Sequence, residues 1–132
     1  MGKKEAVNPG WERYNRLTFA PAVRKGNMLF ITGMDGAQID PATGNPVVKG
    51  DMFEQTKVIY EKIKKVLEAA GASFEDVVWT TDYITTKDGY RATGGVRRQY
   101  FGDSVPASTC IVVKGLLNDD ALIEIDAVAI LD

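Results

Sequence analysis

The chain is 132 residues long, 45% hydrophobic, with 16 Lys+Arg against 18 Asp+Glu, a single cysteine and no histidine. That length and composition fit one globular domain, residues 1–132. The missing histidine excludes Ser-His-Asp and Cys-His relays and His-containing zinc sites, and the lone Cys110 excludes an intrachain disulfide or a thiolate cluster. A metal centre is therefore not expected. No run of about 18 apolar residues is present, so no membrane span is expected. The opening residues carry no apolar core of a secretory signal, which makes a cytoplasmic location the expectation. A formal net charge of −2 provides no global attraction for phosphate backbones, and no aromatic-basic stripe is visible, so nucleic acid is not an expected partner.

Residues 1–15 read as a polar N-terminal segment, with Pro9-Gly10 as a turn and Trp11 and Tyr14 tacking it to the body. Leu17 to Val23 reads as an irregular strand broken at Pro21, and Met28–Thr32 as a short buried strand leading to Ala37–Ile39. Asp40–Pro46 is a turn cluster. The clearest element is a helix over Asp51–Ala70. Phe53, Thr56, Ile59, Tyr60, Ile63, Val66, Leu67 and Ala70 recur at spacings of three and four, Asp51 and Glu54 imitate a capping box, and Gly71 supplies the stop. Residues 76–85 are β-branched and aromatic, which predicts a strand. A weaker helix follows over Asp88–Phe101, weakened by Gly94-Gly95, and strands over 107–115 and 121–131 close the chain. The order βββαβαββ predicts an α+β sheet with both helices on one face.

The last strand points to assembly. Ala121, Ile123, Ile125, Ala127 and Ala129 alternate with Leu122, Glu124, Asp126, Val128 and Ile130, and both sets are largely apolar; Ile111 and Val113 against Cys110 and Val112 repeat the pattern. Two helices cover one face only. At about 25 cal/mol per Å² of apolar surface, an uncovered second face favours self-association, so a homo-oligomer is expected.

Several colinear pieces carry a resemblance: Phe30-Ile-Thr-Gly33, Asp40-Pro-Ala-Thr-Gly44, Val66–Ser73 leading to Asp76-Val-Val78, Tyr100-Phe101, Pro106-Ala107, and Ile123-Glu-Ile-Asp-Ala-Val-Ala129. From about Leu17 onward the chain resembles the Rid family of reactive-intermediate deaminases, the YjgF-type proteins also labelled endoribonuclease L-PSP. The resemblance implies a chorismate-mutase-like fold, a homotrimer closed like a barrel, and small-molecule sites in three clefts between subunits. It also implies hydrolysis of enamines or imines, with ammonia released and no metal or organic cofactor.

Carried over position by position, the resemblance implies Glu124 as the acid that holds the attacking water. Phe19, Thr32, Gly33, Ser108, Thr109 and Cys110 fall at or beside the expected cleft. Three positions depart from the deaminase pattern: Ser108 stands where an arginine clamps the substrate carboxylate, Gly94 where the family has an asparagine, and Phe19 where it has a tyrosine. Serine cannot replace a bidentate guanidinium. A replacement cation would come from Arg97 or Arg98 on the second helix, ahead of Arg24 or Arg91; Phe19, Tyr90 and Tyr100 could line an apolar pocket. The sequence thus favours a divergent deaminase of a small or conjugated amino-acid-derived intermediate. A binding trimer without catalysis is the alternative, and a ribonuclease ranks below both.

Overall fold

The computed structural model describes residues 2–132. Strands β1 (Glu5–Val7), β2 (Ala22–Lys25), β3 (Met28–Asp35), β6 (Val77–Ile84), β7 (Ala107–Val112) and β8 (Ile123–Ile130) form one six-stranded sheet in the order β1-β2-β3-β8-β6-β7. Strands β4 (Ala37–Ile39) and β5 (Pro46–Val48) form a separate hairpin. Neighbours in the large sheet are antiparallel except β6 and β7. That parallel pair needs a crossover, and helix α2 (Thr93–Phe101) lies in it. No helix among the described residues is long and apolar enough to cross a membrane.

Helix α1 (Met52–Ala69) forms as its pattern predicts. Asp51 accepts from the Glu54 backbone N–H at 2.9 Å while the Glu54 side chain accepts from the Asp51 N–H. Gly71 leaves the helix at a φ of +72°, which glycine adopts without strain. Its buried face is Met52, Gln55, Thr56, Ile59, Tyr60, Ile63, Val66 and Leu67. Phe53, expected on that face, is 38% exposed because the stripe is centred one position earlier, on Met52. The buried Gln55 ties α1 to the loop before β8. It donates to the Gly50 and Asp120 carbonyls and accepts from the Leu122 N–H at 2.8 Å.

The second helix begins five residues later than its composition suggests. Gly89 has a φ of +80°, incompatible with a helix, and residues 88–92 form turns closed by Tyr90 N–H to the Lys87 carbonyl and Thr93 N–H to the Tyr90 carbonyl. Gly94 and Gly95 therefore fall in the first turn of α2, not in its interior. The N-terminal segment expected to be merely polar contributes edge strand β1, and Trp11 packs on the core as expected. Residues 17–21 bend before β2 begins, and β5 occupies part of what read as a turn cluster.

Both helices cover one face of the sheet. Leu29 and Ile31 of β3 and Ile123, Ile125, Ala127 and Ala129 of β8 point into that core, each 3% exposed or less. The opposite face stays open: Met28, Phe30, Trp79, Ile111 and Ile130 are between 37% and 47% exposed. The sheet therefore has the second, uncovered apolar face expected from the alternation of the last strand, and Val128 and Ile130 of β8 lie on it.

Candidate functional site

The ladder between β3 and β8 shifts register between Ile31 and Met34, so that Thr32-Gly33 forms a bulge. Bulges re-aim side chains, and here the shift sets Asp35 directly opposite Glu124. A Cβ on Gly33 would lie 2.5 Å from Glu124 Oε2, so only glycine leaves room for the carboxylate in this position. Gly33→Ala is expected to displace that carboxylate and abolish whatever chemistry it performs while the chain remains folded. Activity measured beside thermal unfolding checks this; full activity in Gly33→Ala would remove the close approach from the argument.

Glu124 lines a cavity of about 310 Å³ together with Phe19, Gly33, Tyr14, Arg13, Asp35 and Lys62. It makes no ion pair among the described residues. Burial pushes its pKa above the ordinary 4.5, and the charges of Asp35 across the ladder and Asp126 along the strand push the same way. Asp126 accepts a hydrogen bond from Tyr83 Oη at 2.9 Å. Lys62 donates to the Asp35 carbonyl at 2.8 Å and lies 3.7 Å from its carboxylate. Burial lowers the Lys62 pKa, Asp35 raises it, and nearby Arg13 lowers it further.

A second cluster lies on the other face of the sheet, at its β7 edge. Ser108 and Cys110 pair in register with Thr80 and Asp82 and share their side. Thr80 Oγ1 donates to Ser108 Oγ at 2.8 Å. Asp82 is fully buried; its Oδ2 accepts from Tyr90 Oη at 2.5 Å and from Arg97 Nη1 at 3.4 Å, while Oδ1 has no partner among the described residues. Burial raises the Asp82 pKa, partly offset by the Tyr90 hydrogen bond and the Arg97 charge. Arg97 also donates to Thr93 Oγ1 at 2.8 Å, and its guanidinium carbon sits 5.1 Å from the centre of the Tyr90 ring. The Tyr90 pKa is raised by burial first, then by Asp82, with Cys110 adding a hydrogen-bonding contribution. Arg97 Nη2 lies 3.8 Å from where a Cβ on Gly94 would be.

The residues singled out in the sequence therefore divide into two groups. Phe19, Gly33 and Glu124 share one cavity, while Ser108, Cys110 and Arg97 gather on the opposite side at a free sheet edge. Thr32 spends its hydroxyl on the Ala20 carbonyl at 2.6 Å. Thr109 is exposed on the open face, opposite Thr81. Arg98 is exposed on α2, and Arg24 is turned to the Gly26 carbonyl at 3.0 Å. Sequence reasoning missed Arg13, Tyr14, Asp35 and Lys62 around Glu124, and Asp82 beneath Arg97. Asp82 carried a signal: it falls on the core-facing side of a strand whose neighbours there are Thr80 and Ile84.

Residues 13–131 match the family model described as Endoribonuclease L-PSP. A RutC family protein of Pyrococcus horikoshii is 42% identical over 111 residues, 84% of this chain and 85% of the relative. The 3-aminoacrylate deaminase RutC of Acinetobacter baylyi is 35% identical over 127 residues, 96% of this chain and 97% of the relative. Among solved structures, a Mycobacterium tuberculosis member of the YjgF/YER057c/UK114 family superposes with a TM-score of 0.80 at 29% identity, covering 98% of this chain and all of that one.

Proposed function

The chain belongs to the YjgF/RutC/Rid family, and on that footing we propose that it is a cofactor-independent hydrolase releasing ammonia from an enamine or imine derived from an amino acid. The observation that carries this reading is Glu124: a partly buried carboxyl without a cation partner, its pKa raised, on the wall of a cavity large enough for a small ligand. A group so poised holds a proton closer to neutral pH than an ordinary carboxyl does. It can protonate the carbon of an enamine to give the iminium ion, then as the carboxylate take a proton from water as the oxygen adds to the C=N carbon. Return of that proton to nitrogen, with the hydroxyl proton passing to the Glu124 carboxylate, breaks the C–N bond, leaving a carbonyl, ammonia and the regenerated acid.

The substrate carboxylate requires a cation, and Arg97 stands in for the arginine absent at Ser108. Asp82 and Thr93 fix one end of its guanidinium, and the side chain remains 26% exposed beside the β7 edge. Because Glu124 and Arg97 lie on opposite faces of one sheet, a complete site takes each from a different copy. A homotrimer joined through the open sheet faces and free β7 edges supplies that arrangement, with one cleft between each pair of copies. The aromatic Phe19 on the Glu124 side suits a flat, conjugated substrate as well as aminoacrylate.

The test is ammonia release from a panel of enzymatically generated substrates: 2-aminoacrylate, 3-aminoacrylate and a conjugated aminodienoate. One is expected to turn over with one ammonia per molecule, and Arg97→Gln, which keeps a donor for Asp82, is expected to raise KM more than it lowers kcat. The bond between Ser108 and Thr80 favours the second reading, a trimer that binds such acids without hydrolysing them. Saturable binding with no ammonia from any member of the panel would establish that reading and overturn the first.

A further inference from the structure

A cavity larger than the one holding Glu124 lies beside it. A groove of about 900 Å³ runs between the Glu12–Arg16 turn, the face of α1 and the β4–β5 hairpin. It borders the Glu124 cavity through Arg13, Tyr14, Ala37 and Lys62, but Trp11, Arg16, Lys57 and Lys65 line the groove alone.

Its charge runs against that of the chain. In a protein of formal net charge −2, the groove gathers five cationic side chains against two acids, Glu12 and Glu61. Lys57, Glu61 and Lys65 repeat at intervals of four along α1 and so share one face. Glu61 is already engaged as acceptor for the Tyr100 hydroxyl. Among the described residues, Lys62 is the one cation of this group in an ion pair, with Asp35. With Lys62 paired to Asp35, Arg13, Arg16, Lys57 and Lys65 still outnumber Glu12 and Glu61 and leave a net positive charge around a concave space. Lys62, deprived of solvent and close to Arg13, adds a charge that an incoming anion would stabilise.

The walls are aromatic and aliphatic. Trp11 and Tyr14 stand with ring centres 5.9 Å apart and planes 31° from each other, and Ile39, 52% exposed, and Val58 line the groove as well. Exposed apolar walls under a cationic rim match a ligand with a flat ring and several negative charges.

We propose that this groove is a second ligand site, separate from the hydrolytic cleft, that binds a planar ring bearing a polyanion, of the nucleoside polyphosphate type. The ring lies against Trp11, and Arg16, Lys57 and Lys65 take the anionic groups by charge-assisted hydrogen bonds. None of these four side chains belongs to the Glu124 cavity or the Arg97 cluster, so loss of this site and loss of the hydrolytic reading are distinguishable.

Calorimetric titration of the full-length assembly at low salt, with ATP, adenosine and inorganic triphosphate as separate probes, tests the proposal. ATP is expected to bind saturably, more tightly than either fragment, and more weakly as salt rises. The double variant Arg16→Ala/Lys65→Ala, at two exposed positions, is expected to bind ATP about tenfold more weakly with unchanged assembly and ammonia release. Trp11→Ala is expected to weaken ATP but not triphosphate. Absence of saturable ATP binding, or ATP binding unaltered in the double variant, overturns the site; triphosphate binding as tightly as ATP overturns its specificity for a ring.

Discussion

Glu124→Gln is expected to lower the proposed ammonia release by about a hundredfold or more, the scale of a lost general acid–base group, and to raise thermal stability at neutral pH. The two effects share one cause. Burial, Asp35 and Asp126 all disfavour the carboxylate, so the folded protein holds the Glu124 proton more tightly than the unfolded chain does. A carboxyl pKa raised by folding contributes stability below its unfolded value, and the contribution is lost as pH rises through the folded value. Glutamine has no proton to lose. The Tm of Glu124→Gln should therefore exceed that of the wild type at neutral pH, with the gap closing as pH falls into the ordinary carboxylate range. In the proposed reaction, catalysis is expected to follow the same ionisation. The limb of the pH–rate profile that reports Glu124 should lie above pH 4.5, and Asp35→Asn should move it to lower pH by removing the like charge opposite and freeing the Lys62 ammonium. A limb that survives unchanged in a partly active Glu124→Gln variant would assign it to another group.

This dependence on the bulge explains what the sequence could and could not disclose. Helix α1 was legible because its periodic stripe, capping pair and terminal glycine agree, and tertiary packing had only to rotate the stripe by one position at Phe53. The alternation in β8 separated Glu124 from the Ile123, Ile125, Ala127 and Ala129 set for the same reason: a period of two survives into the sheet, where the structure makes the Glu124 face the less buried one. Asp35 was not legible. Strict alternation from Met28 onward does not allow for the extra residue at Thr32-Gly33, and that residue decides what faces Glu124. Strands β1 and β5, three residues each, carry too little pattern to identify and exist through their pairing with β2 and β4. Arg97 was a candidate from its position on the second helix, but its anchor came only with the fold, because Asp82 is 15 residues away in sequence. The two half-sites raise a further point of topology. Their residue types were visible one by one, whereas their separation by the sheet follows from strand order alone.

That separation leads to the second large effect, a recovery of activity from two inactive proteins. Ser108→Asp sets a negative charge beside the Arg97 cluster and should repel the substrate carboxylate; Glu124→Gln removes the proton-transfer group on the other side of the sheet. If each cleft takes Glu124 from one copy and the β7 edge from the next, a mixed trimer contains clefts in which both contributed halves are wild type. Co-expression in equal amounts should restore activity to about a quarter of the clefts, whereas mixing the purified homotrimers without subunit exchange should restore none. Differently tagged copies, purified through both tags, isolate the mixed assemblies, in which the expected recovery rises to about one cleft in three. Phe30→Asp supplies the control on assembly itself. Phe30 is 47% exposed on the open face, and a charge there should reduce the mass measured by light scattering to that of one chain, 14.4 kDa, with loss of ammonia release. Mixed trimers that remain inactive would place both half-sites in separate reactions, and a wild-type mass of 14.4 kDa would leave no second copy to complete the cleft.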